Sequence, residues 1–249
     1  SAIPNFLEKF DGMIFVSEAA RAEMRKWGKP TYVIHTGVDS DFCEQENVER
    51  ERLRASLGFN EDSVVVGYIS RLVRRKGVLR LIDMAPQIIQ REPKTKFLLV
   101  GSGPLRAHVE RRIKELDLRG TMIYVGPKPF YEMPKYFAAL DVFAFPTYGE
   151  GFSLALLEAM ASGKAIVTMA NWGTGEAITH RVNGLLCRDE REFKDSLLLV
   201  CRNRAMREIL GNRAKTIVCT TSTWSQVAEK TLAAYQESIG RSAKKQPLG

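Results

Sequence analysis

Short apolar segments recur along the middle of the chain, and most are followed by a stretch with helical periodicity. The segments predicted to be strands are Val64–Ser70, Lys96–Gly101, Met122–Gly126, Asp141–Phe145, Ala165–Met169 and Gly184–Cys187. The helical patterns between them cover Val78–Gln90, Leu105–Leu116, Tyr131–Leu140, Ser153–Ser162 and a short piece near Glu176. Strands that alternate with helices predict an α/β fold with a doubly wound, parallel, Rossmann-like sheet. Ligands of such sheets bind beyond the carboxyl ends of the strands.

Further elements are predicted on both sides of this sheet. The later helices are expected at Glu190–Arg202, Arg204–Val218 and Ser225–Ile239. The earlier elements are a strand at Asp11–Ser17, a helix at Glu18–Trp27 and a strand at Thr31–His35. The polar, acidic segment Ser40–Glu49 indicates a linker, and Arg241–Gly249 indicates a frayed tail.

The chain is basic, with a formal net charge of +8 over 249 residues. Its 45% hydrophobic and 27% charged residues are typical of a soluble globular protein. A basic balance favours anionic partners such as phosphorylated metabolites, acidic membrane surfaces or nucleic acid, although solvated surface lysines and arginines are the simpler explanation of the charge taken alone. No helix-turn-helix, stacking platform or zinc-finger spacing supports a nucleic-acid partner, so none is expected.

The cysteines and histidines are too scattered to predict a metal centre. Three histidines and four cysteines occur without CxxC spacing: His35, His108, His180, Cys43, Cys187, Cys201 and Cys219. We expect the cysteines to be reduced and mostly structural, which favours a cytoplasmic protein. No apolar run reaches the ~18 residues of a membrane span, and no signal peptide is recognised.

Two carboxylates, Glu150 and Glu158, flank a predicted strand-to-helix turn in the run Tyr148–Gly163. Glu150 lies between glycines, and Glu158 lies on a helix that is apolar almost all round, where an unpaired carboxylate is costly. The amino end of that helix suits a phosphate. If the whole span were helical, the two acids would lie roughly 12 Å apart, the reach of a sugar joined to a nucleoside by two phosphates. This arrangement suggests one acid for sugar hydroxyls and one for ribose hydroxyls.

A basic loop follows the first strand of the predicted sheet. Arg71 comes directly after the strand, and Lys76 and Gly77 open the next helix. Cations at a helix amino end oppose the helix dipole, which favours an anion between them. An exposed basic loop is the simpler interpretation of such spacing alone, but its place at a strand carboxyl end favours a phosphate site.

Other motifs carry weaker signals. Val100–Arg106 begins like a dinucleotide fingerprint, but its sixth position is Arg106, so we expect a tight turn that allows close approach of a ligand, with a purely structural turn as the alternative. Asp39-Ser40-Asp41 has the D-x-D form of a metal site but is interpreted as a chance match, and no metal is predicted. His35 and Thr36 are expected to make structural contacts, and Glu176 is expected to cap a helix or to border the ligand edge of the sheet.

With these motifs assembled, the chain resembles retaining glycosyltransferases of family 4, which have the GT-B fold. The resemblance runs from about Asp11 to Tyr235. It rests on five segments, which are Val33–Asp39, Gly67–Gly77, Val100–Pro104, Glu150–Glu158 and Trp172–Glu176. It implies an enzyme that transfers a hexose from a nucleotide diphosphate sugar, UDP- or GDP-linked, without a metal or other cofactor.

The resemblance also implies a role for each site residue. Arg71 and Lys76 would hold the diphosphate and stabilise the leaving phosphate. Glu150 would bind hydroxyls of the donor sugar, and Glu158 those of the ribose. The amides of Phe152, Ser153 and Leu154 would face sugar and phosphate, while the segment from Gly126 and Pro127 to Phe130 would pass the base. Ser153 stands where many members carry Gly, and Thr36 where many carry Asn.

The resemblance covers only the donor-binding, C-terminal domain of a two-domain enzyme. We expect residues 1–30 to be the remnant of an acceptor domain, 31–49 a linker, 50–222 the nucleotide-sugar domain, and 223–249 a helix and disordered tail. The acceptor, a saccharide or a lipid-linked molecule, would bind through the other domain, with peripheral membrane contact compatible with the charge. Transfer by this chain alone is expected to be poor. The alternatives are a nucleotide-sugar epimerase of the same fold and a stand-alone binding or regulatory module.

Overall fold

The computed structural model describes residues 9–24, 28–44 and 47–243. The strands are β1 Met13–Phe15, β2 Thr31–Val33, β3 Val64–Ile69, β4 Thr95–Val100, β5 Met122–Tyr124, β6 Val142–Phe145, β7 Ala165–Met169 and β8 Leu185–Cys187. The helices are α1 Glu18–Glu23, α2 Asn47–Ser56, α3 Val78–Arg91, α4 Arg106–Glu115, α5 Met133–Ala138, α6 Leu154–Ala161, α7 Trp172–Ala177, α8 Glu190–Arg202, α9 Arg204–Thr221 and α10 Trp224–Ala243.

Six parallel strands form the main sheet, in the order β5-β4-β3-β6-β7-β8. The order reverses between β3 and β6, as in a Rossmann-type sheet, and such a switch point opens a cleft at the strand carboxyl ends. The predicted doubly wound α/β fold is therefore confirmed. A separate pair of parallel strands, β1 and β2, aligns Met13 with Thr31.

Alternate residues of the strands build a hydrophobic core on each side of the sheet. Val66 and Tyr68 of β3 pack with α3, α4 and α8, whereas Val65 and Ile69 pack with α5, α6 and α9. All four side chains are 3% exposed or less. This double burial explains why the strands have continuous apolar sequences.

The segment predicted as a linker is folded where the structure describes it. A 3₁₀ turn at Ser40–Phe42 buries Phe42, and Val38 pairs with the backbone before α10. α2 begins at Asn47 and has no counterpart among the predicted helices, because its sequence is dominated by charged residues. At the other end, α10 continues through Ala243, so the start of the predicted tail is helical.

The prediction that all cysteines are reduced is wrong for two of them. The folded linker places Cys43 beside the last turns of α9, where it forms a disulfide with Cys219. The sequence separation of 176 residues hides this proximity from any local pattern. Cys187 and Cys201 are free and buried, and burial raises the pKa of each thiol to about 11. Among the described residues, no helix is both long enough and apolar enough to span a membrane.

Candidate nucleotide-binding cleft

A cleft of about 520 Å³ opens at the carboxyl ends of β3, β4 and β5 and at the amino end of α6. Seven of the nine residues predicted for the site line it, which are Arg71, Lys76, Pro127, Phe152, Ser153, Leu154 and Glu158. The cleft lies at the switch point of the sheet, where parallel α/β folds bind their ligands. The other two predicted residues lie next to lining residues: Glu150 pairs with Lys76, and Gly126 directly precedes Pro127.

The basic loop after β3 folds against the end of β6. Gly77 has a left-handed φ of 74°, and a Cβ at this position would lie 2.0 Å from the carbonyl oxygen of Pro146. The amide of Tyr148 donates to the carbonyl of Arg75 at 2.8 Å. Only glycine permits this approach, which holds Lys76 at the base of the cleft while Arg71 stays exposed.

Lys76 and Glu150 form a close ion pair. The distance between Nζ and Oε1 is 2.6 Å, and the side chains are 13% and 5% exposed. The hydroxyl of Thr147 donates to the same carboxylate oxygen at 2.9 Å. A buried carboxylate is tolerated because it has these two partners. The sequence predicted both charged residues for the site but not their pairing, nor the contribution of Thr147.

Glu158 lies in the second turn of α6 with 7% exposure, and it borders the cleft. Burial raises the pKa of its carboxyl to about 7. A hydrogen bond from a hydroxyl group therefore stabilises the ionised carboxylate of Glu158 more here than it would in water. Because α6 begins at Leu154 and Glu150 lies in the preceding loop, the separation estimated for a fully helical span does not apply.

The amino end of α6 adds backbone donors to the cleft. Ser153 is the N-cap, and its hydroxyl accepts from the amide of Leu156 at 3.4 Å. The first amides of a helix lack partners within it and attract anions. Phe152, just before the cap, stacks on the ring of His35 with centroids 4.5 Å apart and 11° between planes.

His35 connects this loop to an earlier part of the chain. Its Nε2 lies 2.9 Å from Oε2 of Glu176, whose carboxylate also accepts from the amides of Glu18 and Ala19 at 2.9 and 3.2 Å. Burial alone raises the pKa of Glu176, but these hydrogen bonds outweigh it and leave the pKa below its ordinary value. The predicted structural role of His35 thus includes stacking beside the cleft, and Glu176 caps α1.

Several motif residues have local structural roles. A Cβ on Gly101, whose φ is 139°, would lie 2.0 Å from the carbonyl oxygen of Ser70, so the glycine turn permits close approach of backbone. Gly126 also has a positive φ, of 73°, and its carbonyl accepts from the amide of Gly101 at 3.0 Å. Asp39 of the D-x-D accepts from the amide of Asp41 and caps a 3₁₀ turn.

Residues that line the cleft but were not among the predicted site residues include Ser70, Ser102 and Met133. Ser70 directly follows β3, and Ser102 lies two residues after the end of β4. Because ligands bind at strand carboxyl ends, this position could have indicated both serines as site residues. Lys128 and Phe130 line the cleft within the segment predicted to pass a base. Across the described ranges, no group of three or more His, Cys, Asp or Glu side chains is placed to hold a metal ion.

Residues 49–217 match the family model of the glycosyl transferases group 1. The chain is 30% identical over 200 residues to an uncharacterized glycosyltransferase of Methanocaldococcus jannaschii, covering 78% of this chain and 50% of that protein. It is 32% identical over 178 residues to a GDP-mannose-dependent alpha-(1-6)-phosphatidylinositol monomannoside mannosyltransferase of Mycolicibacterium smegmatis. This match covers 68% of this chain and 46% of that protein. The chain thus spans about half the length of these relatives.

Structural comparison agrees with the sequence comparison. Anabaena HepE in complex with UDP and glucose superposes with a TM-score of 0.80 at 24% identity, covering 90% of this chain and 62% of that structure. The six-stranded parallel sheet is thus that of a GT-B glycosyltransferase domain. The chain belongs to the group 1 glycosyl transferases, since the family model covers more than half of it.

Proposed function

We propose that this chain is the donor-binding half of a retaining family 4 glycosyltransferase, which transfers a hexose from a UDP- or GDP-linked sugar to an acceptor. One observation carries the proposal. A single cleft at the switch point combines the exposed cation Arg71, a helix amino end and the buried carboxylate of Glu158. A nucleoside diphosphate needs all of these groups, because its phosphates bind cations and backbone amides and its ribose hydroxyls bind a carboxylate.

The phosphates would be held by two cations with different properties. Arg71 is exposed, whereas Lys76 is paired with Glu150, so a diphosphate would contact Arg71 first and would share Lys76 with Glu150. Negative charge that develops on the leaving diphosphate would then be stabilised by groups already in place. These cations provide the charge that a divalent ion provides in other transferases, so we expect transfer to need no metal.

The sugar and the ribose would be bound at opposite sides of the phosphates. Glu150 would accept hydrogen bonds from hydroxyls of the hexose, and the amides of Phe152, Ser153 and Leu154 would face sugar and phosphate. Glu158 would accept hydrogen bonds from the hydroxyls of the ribose. These bonds would stabilise the ionised carboxylate, which burial disfavours. The base would lie along Gly126, Pro127 and Phe130, the last of which is 57% exposed.

The acceptor would bind through a part of the enzyme that is not in this chain. The relatives are about twice as long as the matched region, and one acts on a phosphatidylinositol monomannoside. Trp224, Leu232, Tyr235 and Ile239 on α10 are each at least 51% exposed, an apolar surface that suits contact with another domain. We propose that the basic charge of the enzyme permits contact with a membrane that carries a lipid-linked acceptor.

Thermal unfolding with a panel of nucleoside diphosphates and nucleotide sugars tests the donor site. A ligand at about 100 times its dissociation constant stabilises a fold by roughly 2.7 kcal/mol. Stabilisation is expected with UDP or GDP donors, also in the presence of a chelator. It should be reduced by about half or more in Arg71→Ala and Glu158→Ala and kept in Arg74→Ala, which removes a neighbouring exposed arginine. The absence of any shift from a folded sample would contradict donor binding by this chain.

A transfer assay tests the second part of the proposal. The chain alone should transfer little sugar to any acceptor. The full-length enzyme should form a product whose anomeric configuration matches that of the donor. Product analysis by NMR distinguishes retention from inversion and transfer from epimerisation. Robust transfer by the isolated chain would overturn the claim that it supplies only the donor half.

A further inference from the structure

A second cavity, of about 500 Å³, lies at the opposite end of the sheet from the nucleotide-binding cleft. Its walls come from α2, from the residues at and before the starts of β3, β6 and β7, and from the first two turns of α9. Because β3 is six residues long, the two cavities are separated by about 17 Å of strand. A nucleotide bound at one end therefore does not reach the other.

One carboxylate lies at the centre of this cavity. Asp141 pairs with Arg50 at 2.6 Å and with Arg54 at 3.3 Å, and it accepts from the amide of Val65 at 2.7 Å. Burial alone raises its pKa, but the two guanidinium groups outweigh burial, and the pKa lies below its ordinary value. Asp141 is thus ionised and fully engaged.

Two further cations line the cavity without a carboxylate partner. The ammonium of Lys164 donates to the carbonyl of Ala138 at 3.0 Å, and Arg207 donates to the carbonyls of Val200 and Cys201. Neither forms an ion pair with any carboxylate in the part of the chain that the structure describes. Arg50, Arg54, Lys164 and Arg207 thus lie around Asp141, and the fifth lining cation, Arg204, pairs with Glu208.

Burial lowers the pKa of two of these cations, and the repulsion of their neighbours adds to its effect. Burial, with Arg50, Arg54 and Lys215 nearby, lowers the pKa of Lys164 to about 7, and Asp141 only partly opposes this. Burial, Arg50 and Arg207 lower the pKa of Arg54. A fold that gathers like charges in this way gains if an anion enters.

The acids at the rim do not supply the missing charge. Asp62 is exposed and pairs with Lys94, and Glu208 is exposed and pairs with Arg204. Glu61, the third rim acid, is also exposed. These carboxylates can accept hydrogen bonds from hydroxyl groups of a ligand that extends out of the cavity.

We propose that this cavity is a second ligand site, which binds the phosphate of a small hydroxylated molecule such as a sugar monophosphate. Guanidinium groups bind phosphate through paired N–H donors, and Arg207 and Lys164 supply charge that Asp141 does not neutralise. The volume exceeds that of a phosphate ion, which leaves space for a hydroxylated body beneath the rim acids. The proposal does not depend on the chemistry at the nucleotide-binding cleft.

Calorimetric titration of inorganic phosphate and of glucose 6-phosphate tests the site. Both should bind saturably to the unaltered chain and to Arg71→Ala, which removes a cation from the other cleft. Binding should be roughly tenfold weaker, or worse, in Lys164→Gln and in Arg207→Gln, since each loses a charge-assisted hydrogen bond. Lys164→Gln retains an N–H donor for the carbonyl of Ala138. Binding that is lost in Arg71→Ala but kept in both cavity variants would overturn the proposal, as would the absence of saturable binding.

A measurement on the unaltered chain covers the case in which a cavity variant fails to fold. With ¹³Cε-labelled lysine, the NMR signal of Lys164 is assigned by its absence in Lys164→Arg, which keeps a cation at this position, and its titration is then followed in the unaltered chain. Saturating phosphate should move its midpoint to higher pH by about one unit, because a bound anion favours the charged ammonium. An unchanged midpoint would contradict a phosphate beside Lys164.

Discussion

Lys76 and Glu150 form an ion pair across the switch point of the sheet, with 2.6 Å between Nζ and Oε1. Lys76 follows β3 and Glu150 follows β6, the two strands between which the strand order reverses. The pair therefore ties together the two loops that form the base of the cleft. It also means that a diphosphate must compete with Glu150 for the charge of Lys76.

Replacing Lys76 should reveal how much the fold depends on this pair. Lys76→Met leaves the buried carboxylate of Glu150 without its counter-charge, so we expect the free energy of unfolding to fall by about 3 kcal/mol. Adding Glu150→Gln should recover most of this loss, because the unpaired charge is removed. Urea denaturation measures both effects. Arg74→Met, an exposed change in the same turn, is the control and should stay within about 0.5 kcal/mol. Equal stability of Lys76→Met and the parent chain would show that the pair contributes nothing.

The raised pKa of Glu158 predicts a conflict between stability and binding. The carboxyl pKa rises from 4.5 to about 7 on folding, so the folded state retains its proton more tightly. Stability from this group is present below about pH 4.5 and is lost as pH rises to about 7. Glu158→Gln should therefore be more stable than the parent chain by about 3 kcal/mol at pH 8, with little difference at pH 4. The variant should bind nucleotide roughly tenfold more weakly or worse.

Urea denaturation at the two pH values and a nucleotide titration at pH 8 measure these effects. Glu229→Gln, an exposed acid on α10, is the matched control and should change neither. A variant at Glu158 that is destabilised at pH 8 would show that the carboxylate has partners that offset its burial.

Local sequence patterns were sufficient to predict the sheet and most of its helices. Each of the six main strands was predicted to within two residues, because buried parallel strands have short continuous apolar sequences. Glu150, which lies between glycines, and Glu158, which lies on the following helix, could also be placed, since loops and helices at strand carboxyl ends follow from the strand order.

Contacts between distant segments could not be predicted in this way. The pairing of Cys43 with Cys219 and the stacking of His35 on Phe152 both depend on where the segment after β2 packs. Its polar composition indicated a linker, yet the burial of Phe42 anchors it to the core. α2 was missed because its apolar positions, Leu53 among them, are few among charged residues.

The disulfide predicts a large effect of reducing agents on stability. Cys43 and Cys219 are 176 residues apart, and a link that closes so long a loop is expected to contribute about 3 to 5 kcal/mol. Dithiothreitol should lower the urea midpoint of the parent chain but not that of Cys43→Ser/Cys219→Ser. Cys187 and Cys201, buried and with thiol pKa values near 11, should resist iodoacetamide at pH 8 until the chain unfolds. Labelling of four thiols after unfolding without reductant would contradict the disulfide.

His35 makes two contacts, and two substitutions separate them. His35→Phe keeps a ring against Phe152 but removes the hydrogen bond to Glu176, whereas His35→Gln can keep that bond but removes the stacking. Each loss should cost about 1 kcal/mol in the free energy of unfolding. Only His35→Gln should weaken nucleotide binding, by about fivefold, because the stacked ring fixes Phe152, whose amide lies beside the donor phosphates in the proposed complex. Titration of UDP or GDP into both variants measures this. Equal affinities of the two variants would show that the stacking on Phe152 does not position the loop for the nucleotide.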